Sequence, residues 1–143
     1  MKIEGLAELE ADLAAISRRV RDLRPLLAEI GEQVVSQTAL SFISGRGPDG
    51  KAWIPSRRVS TGGGQTLIDT GRLRGSFGYD ATDRQVEIGS NVVYAAIHQF
   101  GGVAGRGHGV TLPARPFMPT SVDQIDDLDT IMNRFLERVL DDR

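Results

Sequence analysis

The sequence contains no cysteine, and aromatic residues make up only 6% of the chain. The absence of cysteine excludes disulfides, thiolate metal sites and a thiol nucleophile. No apolar run approaches the ~20 residues that a bilayer crossing requires. The first residues, MKIEGLAELEADLA, are acidic where a signal peptide would be apolar. We therefore expect a soluble, unsecreted protein with no membrane partner.

A large excess of one charge is also lacking, since 17 basic and 19 acidic residues give a net charge of -2. Nucleic-acid-binding proteins usually carry a larger basic excess. The charge is nevertheless uneven, because residues 44–74 hold six basic and two acidic side chains while residues 119–143 hold three basic and seven acidic ones. Opposite charges on different segments suit contacts between copies of one protein at least as well as they suit nucleic acid.

The chain has an ordinary globular composition, with 40% hydrophobic residues in a length of 143. That length fits a single domain with one core. The order of the patterns divides it into a helical segment at 1–44, a sheet core with glycine-rich loops at 45–121 and a C-terminal helix at 122–143. This order predicts an α+β fold, in which a small, mostly antiparallel sheet packs against N-terminal helices and a C-terminal helix.

An apolar stripe predicts two consecutive helices in the N-terminal segment. The first carries apolar residues at spacings of three and four: Leu6, Leu9, Leu13, Ile16, Val20 and Leu23. Pro25 is tolerated in the first turn of a helix but not in its interior, so we place a break at 22–24 and end the second helix at Ser44 and Gly45. We favour two helices that cover the sheet, and a coiled-coil seam with a partner stays open.

Alternating residues between 67 and 90 predict a β-hairpin. Phe77 and Tyr79 mark the first strand, and Val86 and Ile88 mark the second. Thr82 and Asp83 form the turn between them. Just before it, Thr70 can cap a short turn that points Leu73 inward and both Arg72 and Arg74 outward.

Residues 91–101, NVVYAAIHQFG, allow either a short helix or a third strand, and we favour the helix. Asn91 is a suitable N-cap and Gly101 a suitable stop. Between them, one apolar face would be formed by Val93, Ile97 and Phe100. On such a helix Tyr94 and His98 lie one turn apart.

Two glycine-rich stretches predict surface loops, RRVSTGGGQT at 57–66 and GGVAGRGHGVT at 101–111. The first lacks the lysine of a phosphate-binding loop and follows no clear apolar strand, which argues against a nucleotide site. Because glycine raises the entropy that ordering must overcome, we expect 60–65 and 101–109 to be mobile in the free subunit and ordered against a neighbour.

The stretch LPARPFMPTS predicts an extended arm, because it contains three prolines, Pro113, Pro116 and Pro119. We expect the arm to dock on a neighbouring subunit or on a partner protein through Arg115 and Phe117, since arginine and aromatic residues are enriched at interface hot spots. The open alternative is that Phe117 packs into its own core and Arg115 pairs with a local carboxylate.

A capping box at Ser121 and Gln124 predicts the start of a final amphipathic helix, whose apolar face is Ile125, Leu128, Met132, Phe135, Val139 and Leu140. Its first turns contain the acidic stretch DQIDDLD at 123–129. Carboxylates at this end of a helix are stabilised by the helix dipole. The same stretch could form the negative half of a contact with the basic middle of another copy.

Catalytic and metal chemistry have little support in the sequence. His98 and His108 are the two histidines, and no cysteine, His-x-x-x-His pair or nucleophile elbow accompanies them. We therefore expect no catalytic residue, no metal ligand and no cofactor, and we expect assembly to survive the replacement of His98 by Asn. The alternative function is a nucleic-acid-binding module at 46–74, which would use Arg46, Arg57, Arg58, Arg72 and Arg74 despite the few aromatic residues among them.

Four segments occur in an order that carries a family resemblance: FISGRGPDGKAWIP, LIDTGRLRGSF, VEIGSNVVYAAIHQFGG and LPARPFMP. Over about residues 42–119 the chain resembles the phage virion morphogenesis family, the tail-completion proteins of Mu-like and P2-like contractile-tailed phages and prophages. The resemblance implies a non-enzymatic structural protein that is assembled in the bacterial host cytoplasm and carried in the tail or neck of the virion. It transfers no catalytic residue.

The resemblance also implies a role and partners. The role is tail completion, as a terminator or in head-tail joining, at the head-proximal end of the tail. The partners are further copies of the chain in a ring, with a hexamer favoured by the six-fold tail tube, and tail-tube or neck and connector proteins. The interaction residues that we expect are Arg72, Arg74, Arg115 and Phe117.

Overall fold

The computed structural model describes residues 4–141, so the predicted extension of the final helix to the end of the chain lies partly outside the described residues. Within this range the chain forms five α-helices: α1 (Leu6–Arg21), α2 (Arg24–Ser44), α3 (Arg57–Gly62), α4 (Ala95–Phe100) and α5 (Leu128–Asp141). It also forms four short strands: β1 (Phe77–Ala81), β2 (Val86–Ser90), β3 (Gly102–Ala104) and β4 (Val110–Leu112). The predicted α+β fold class is confirmed.

The break between α1 and α2 lies where Pro25 requires it. α1 ends at Arg21, and α2 begins at Arg24 with the proline in its first turn, where a missing backbone N–H costs no helical hydrogen bond. At its other end α2 is followed by Gly45 with a φ of 69°, a left-handed conformation that glycine adopts without strain. Both predicted boundaries of the second helix are confirmed.

The predicted hairpin is also confirmed. β1 and β2 pair antiparallel, with Phe77 opposite Ser90 and Tyr79 opposite Ile88. α2 packs on both strands. The approach is so close that a Cβ atom on Gly31 would lie 2.6 Å from the Tyr79 ring. Glycine at this point of α2 is therefore required by packing and not by helix propensity.

The main core joins residues from well-separated segments: Phe42, Trp53, Leu73, Val92 and Phe117. The Phe42 ring is 1% exposed, and its centroid lies 5.7 Å from that of Trp53 and 5.2 Å from that of Phe117. The indole Nε1 of Trp53 donates a hydrogen bond to the Pro116 carbonyl at 2.7 Å, which pairs its polar group inside the core. Leu73 points inward as predicted.

The strands form two separate two-stranded sheets, where the sequence predicted one. The stretch at 101–109, predicted as a loop, contributes to a second hairpin in which Gly102 pairs with Leu112. The stretch at 57–66, also predicted as a loop, begins as α3, and the Ser56 hydroxyl accepts a hydrogen bond from the backbone of its first turn. Elements of three to six residues give too little periodicity to be detected in a sequence.

The interpretation that both N-terminal helices cover the sheet is wrong for α1. That helix packs against α5, where the Arg19 Nη1 atom donates to the Val139 carbonyl at 3.2 Å. α1 has no buried residue. Its apolar stripe is therefore not used by the core that the structure describes.

The predicted capping box is wrong. The Ser121 side chain makes no cap hydrogen bond and precedes only a 3-10 turn, while the side-chain oxygen of Gln124 accepts from the Thr120 N–H. The helix begins later, at Leu128, directly after Asp127 with a φ of 59°. The chain must turn at that point before α5 can lie along α2, and this requirement overrides the local capping signal.

Candidate functional site

A cleft of about 600 Å³ lies beside α3, α4 and the proline-rich arm, and most of its charged lining is basic. Its basic residues are Arg57, Arg58, Arg72 and Arg115, and Asp69 is the acidic residue in the described lining. The fold thus brings together three of the arginines from the basic segment at 46–74. The other two, Arg46 and Arg74, do not line it. We call this feature the arginine cleft.

The wall of the arginine cleft is held by hydrogen bonds to the backbone. The Nη2 atom of Arg58 donates to the carbonyls of Gln65 at 2.8 Å and Ile68 at 2.9 Å, which ties α3 to the turn that follows it. The Thr70 hydroxyl accepts from the Arg72 N–H at 3.3 Å, in the capping role that the sequence predicted. Arg72 and Arg74 are both exposed, as expected.

Arg115 forms the buried part of the arginine cleft. Its side chain is 5% exposed, and its Nε atom donates to the Ile54 carbonyl at 2.7 Å. Burial lowers the pKa of Arg115 from its ordinary value. The alternative that it pairs with a local carboxylate is not found, since no ion pair to Arg115 occurs within residues 4–141.

His98 lies beside this arginine. Burial, and then the positive charge of Arg115, lowers the pKa of His98 below the usual value of 6.5, so the neutral imidazole is favoured. Its Nδ1 atom is buried and has no hydrogen-bond partner in the described part of the chain. No carboxylate contact that would make the ring a general base is present among these residues.

Tyr94 and His98 are neighbours, as predicted from their spacing. Their ring centroids lie 6.0 Å apart with an angle of 86° between the planes, an edge-to-face arrangement. The guanidinium carbon of Arg72 lies 5.9 Å from the centroid of the Tyr94 ring, within cation–π range. Tyr94 therefore contacts one of the exposed arginines that line the cleft.

The predicted short helix is present as α4, but its start and its buried face differ from the prediction. It begins at Ala95 and not after an Asn91 cap. Val93 is 95% exposed and Phe100 is 71% exposed, whereas Gln99 is 7% exposed. The burial pattern is set by the arm, which needs a polar partner at this position.

Gln99 holds the arm against α4. Its Oε1 atom accepts from the backbone N–H groups of Phe117 at 2.9 Å and Met118 at 3.1 Å, and its Nε2 atom donates to the Met118 carbonyl at 2.9 Å. The Arg115 N–H donates to the His98 carbonyl at 2.8 Å. Sequence reasoning missed Gln99. The signal that could have found it is its spacing from Ala95 and Val92, which share the buried side of the turn.

The arm forms neither helix nor strand after Leu112, and it is docked on its own subunit. Phe117 is 1% exposed, and its ring centroid lies 5.1 Å from that of Phe77. The alternative that Phe117 packs into its own core is the arrangement found. A contact of Arg115 or Phe117 with a neighbouring subunit would require these side chains to leave their present packing, and it stays a prediction.

α1 and α5 expose apolar side chains. On α1, four members of the predicted stripe are between 44% and 56% exposed: Leu6, Leu9, Leu13 and Val20. On α5, three apolar residues are also exposed: Met132, Leu136 and Leu140. Single exposed apolar residues are common, but a repeated stripe on one helix face is typical of an interaction surface. We call the four residues of α1 the α1 stripe.

The acidic stretch at 123–129 mostly precedes α5, so Asp129 lies in the first turn of that helix, whereas the sequence predicted the whole stretch there. Asp123, Asp126, Asp127 and Asp129 are all exposed. Gln37 of α2 fixes the stretch, because its Nε2 atom donates to the Gln124 carbonyl at 2.6 Å and its Oε1 atom accepts from the Asp126 N–H at 2.9 Å. Two ion pairs are found within residues 4–141. Glu29 takes part in both, one with Arg134 and one with Arg138.

The described residues contain no group of three or more histidine, cysteine, aspartate and glutamate side chains that could hold a metal ion. The side chain of His108 is not among those that the structure describes. Between residues 4 and 141, no helix is both long enough and apolar enough to cross a membrane.

The sequence of the chain is similar to sequences of known phage proteins. The model of the phage virion morphogenesis family matches residues 5–137, nearly the whole chain. The chain belongs to the phage virion morphogenesis family. It is also 34% identical over 136 residues to Mu-like prophage FluMu G protein 2 of Haemophilus influenzae, a match that covers 94% of each chain. No solved structure is significantly similar.

Membership of the phage virion morphogenesis family confirms the resemblance given by the four sequence segments. The similarity extends beyond those segments, because the family model includes α1, α2 and most of α5. Family membership indicates a structural role in phage morphogenesis and an association with virions that are assembled in a host.

Proposed function

We propose that this protein is a non-enzymatic assembly protein that completes the tail at its head-proximal end, as a terminator or in head-tail joining. It acts as a homo-oligomeric ring, a hexamer that matches a six-fold tail tube. Its other partners are tail-tube or neck and connector proteins. It is assembled in the bacterial host cytoplasm and remains in the tail or neck of the virion. Family membership supports the assembly role, and the observation that carries self-association is the exposed α1 stripe.

The α1 stripe supports self-association because it leaves apolar surface in water that a second surface can cover. Burial of apolar surface stabilises association by about 25 cal/mol per Å². α1 is held to the subunit through α5, where Arg19 donates to the Val139 carbonyl, and the four residues of the stripe remain exposed. A helix fixed in this way can present the stripe to a neighbour without refolding. Repetition of such a contact between two different surfaces closes a ring when the rotation fits.

The chemistry of the arginine cleft supports a role without catalysis. A general base is a proton acceptor that lies within hydrogen-bond reach of the proton it removes, and a second group usually orients it. His98 is instead placed beside Arg115, whose charge disfavours protonation. Its Nδ1 atom has no hydrogen-bond partner, and no carboxylate forms an ion pair with the ring among the described residues.

The test is the mass of the purified protein, alone and with tail-tube protein, measured by sedimentation or native mass spectrometry. We expect the wild type to form a closed ring under at least one of these conditions. The Leu13→Asp variant should remain monomeric, because the substitution places a charge in the centre of the stripe. Ala14→Asp is the matched control, since successive helix positions point about 100° apart and Ala14 is exposed away from the stripe.

Both substitutions lie on an exposed surface, so each should change the free energy of unfolding by less than about 1 kcal/mol. In complementation of a tail-defective phage, Ala14→Asp should restore infectious particles and Leu13→Asp should not. A wild type that stays monomeric in both conditions contradicts the ring. A Leu13→Asp variant that forms rings contradicts the assignment of the stripe.

A further inference from the structure

The arginine cleft has a charge that its own subunit does not neutralise. Four arginines and one aspartate line it. Within residues 4–141, none of these arginines takes part in an ion pair, because both ion pairs found there use Glu29. The cleft has the volume of a small-ligand site, large enough for a few side chains.

Arg115 contributes a largely buried charge to this imbalance. It is 5% exposed, and its one side-chain hydrogen bond in the described residues runs from Nε to the Ile54 carbonyl. The terminal guanidinium nitrogens, which form the flat edge that binds a carboxylate with two hydrogen bonds, make no hydrogen bond there and are not fully buried, so an anion can reach them. Burial of a cation is unfavourable unless it is paired. A site of this kind is completed by an anion.

We propose that the arginine cleft binds carboxylate side chains, and that these come from the acidic stretch at 123–129 of a second copy of the chain. The proposal rests on the self-assembly proposed above and identifies a second contact within it, separate from the α1 stripe. Guanidinium groups favour carboxylates because the two planar groups match in a bidentate geometry.

The acidic stretch is suited to this role in two respects. Its four aspartates are exposed and form no ion pair in the described part of their own subunit. Its backbone is fixed by Gln37 through the Gln124 carbonyl and the Asp126 N–H, so little conformational entropy is lost when it docks. The cleft and the stretch are different surfaces of one chain, and contacts of that type generate rings.

A nucleic-acid backbone fits the cleft less well. Binding along a strand requires a track of cations, and Arg46 and Arg74 lie outside the cleft lining. The Nη1 atom of Arg46 instead donates to the Gly50 carbonyl at 3.1 Å, within its own turn. The basic residues therefore converge on a pocket and do not follow a line.

A charge-swap experiment tests the proposal on the full-length chain. The cleft variant carries Arg57→Glu and Arg72→Glu, and the acidic-stretch variant carries Asp123→Arg and Asp126→Arg. All four side chains are exposed, and their removal leaves Arg115 in place. Each variant alone should self-associate at least about tenfold more weakly than the wild type. An equimolar mixture should recover association, because every cleft of one variant then meets a stretch of the opposite charge.

The control carries Arg46→Glu and Arg84→Glu, which makes the same change of net charge at exposed positions outside the cleft and should associate like the wild type. Normal association of the cleft variant, or a mixture that does not recover, overturns the proposal. The proposal is also overturned if the wild type and the acidic-stretch variant retain a single-stranded oligonucleotide and the cleft variant does not, because the cleft would then bind nucleic acid. A monomeric wild type overturns the proposed ring itself, whereas a wild-type ring that is insensitive to these changes overturns only the carboxylate contact.

Discussion

Replacement of Gln99 by Ala should unfold the protein at a much lower temperature, although the change removes no charge and little apolar surface. The Gln99 amide pairs three backbone groups of the arm, the N–H groups of Phe117 and Met118 and the carbonyl of Met118. A buried backbone group left unpaired costs about 1–3 kcal/mol. The Phe117 N–H lies in the buried core, while the Met118 groups are partly buried and water can reach them.

The three groups together therefore predict a loss of about 3 kcal/mol in the free energy of unfolding. For a chain of this length each kcal/mol lowers the melting temperature by about 3–4 °C, so the expected shift is about 10 °C. Gln99→Met should lose nearly as much, because methionine fills the volume without replacing the hydrogen bonds. That comparison separates the lost hydrogen bonds from the cavity that alanine leaves.

The assay is thermal unfolding followed by circular dichroism, with Gln85→Ala as the matched control. Gln85 is exposed beside the hairpin turn, and its replacement should cost less than about 0.5 kcal/mol. The reasoning is refuted if Gln99→Ala melts within about 2 °C of the control, or if Gln99→Met is as stable as the wild type.

Three further predictions follow from other contacts. Phe117→Ala should cost about 3–5 kcal/mol in a denaturant titration, and a cost near zero would show that the arm is not part of the core. Gly31→Ala should destabilise by about 1–3 kcal/mol in the same titration despite the better helix propensity of alanine, because the Tyr79 ring must move. The pKa of His98 is lowered by burial and by Arg115, so the unfolded chain binds its proton first and stability should fall as the pH drops below 6.5. His98→Gln should reduce that fall, and an unchanged pH profile would contradict the assigned environment.

The sequence alone determined the features that depend on local chemistry. The proline at the start of α2, the glycine after its end and the alternation of β1 and β2 each specify a conformation through a few neighbouring residues. The order of the four sequence segments was sufficient for the family resemblance that the comparisons confirmed. These signals need no knowledge of what packs against them.

Only the tertiary structure decided which faces are buried. The pattern of α4 favoured Val93 and Phe100 as its inner face, yet both are exposed and Gln99 is buried, because the arm brings unpaired backbone groups to that side. Local sequence cannot encode this demand, since the groups to be paired lie eighteen and nineteen residues further along the chain.

The same limit applies to the interaction residues. Arg115 and Phe117 have the side chains of an exposed anchor. In the structure, however, Phe117 packs against other aromatic rings in the core, and Arg115 is buried at the cleft. The α1 stripe has the pattern of a buried helix and is exposed because α2 already covers the hairpin. Burial depends on competition among all apolar surfaces of the chain for a core of limited size, and that competition is resolved only when the whole chain has folded.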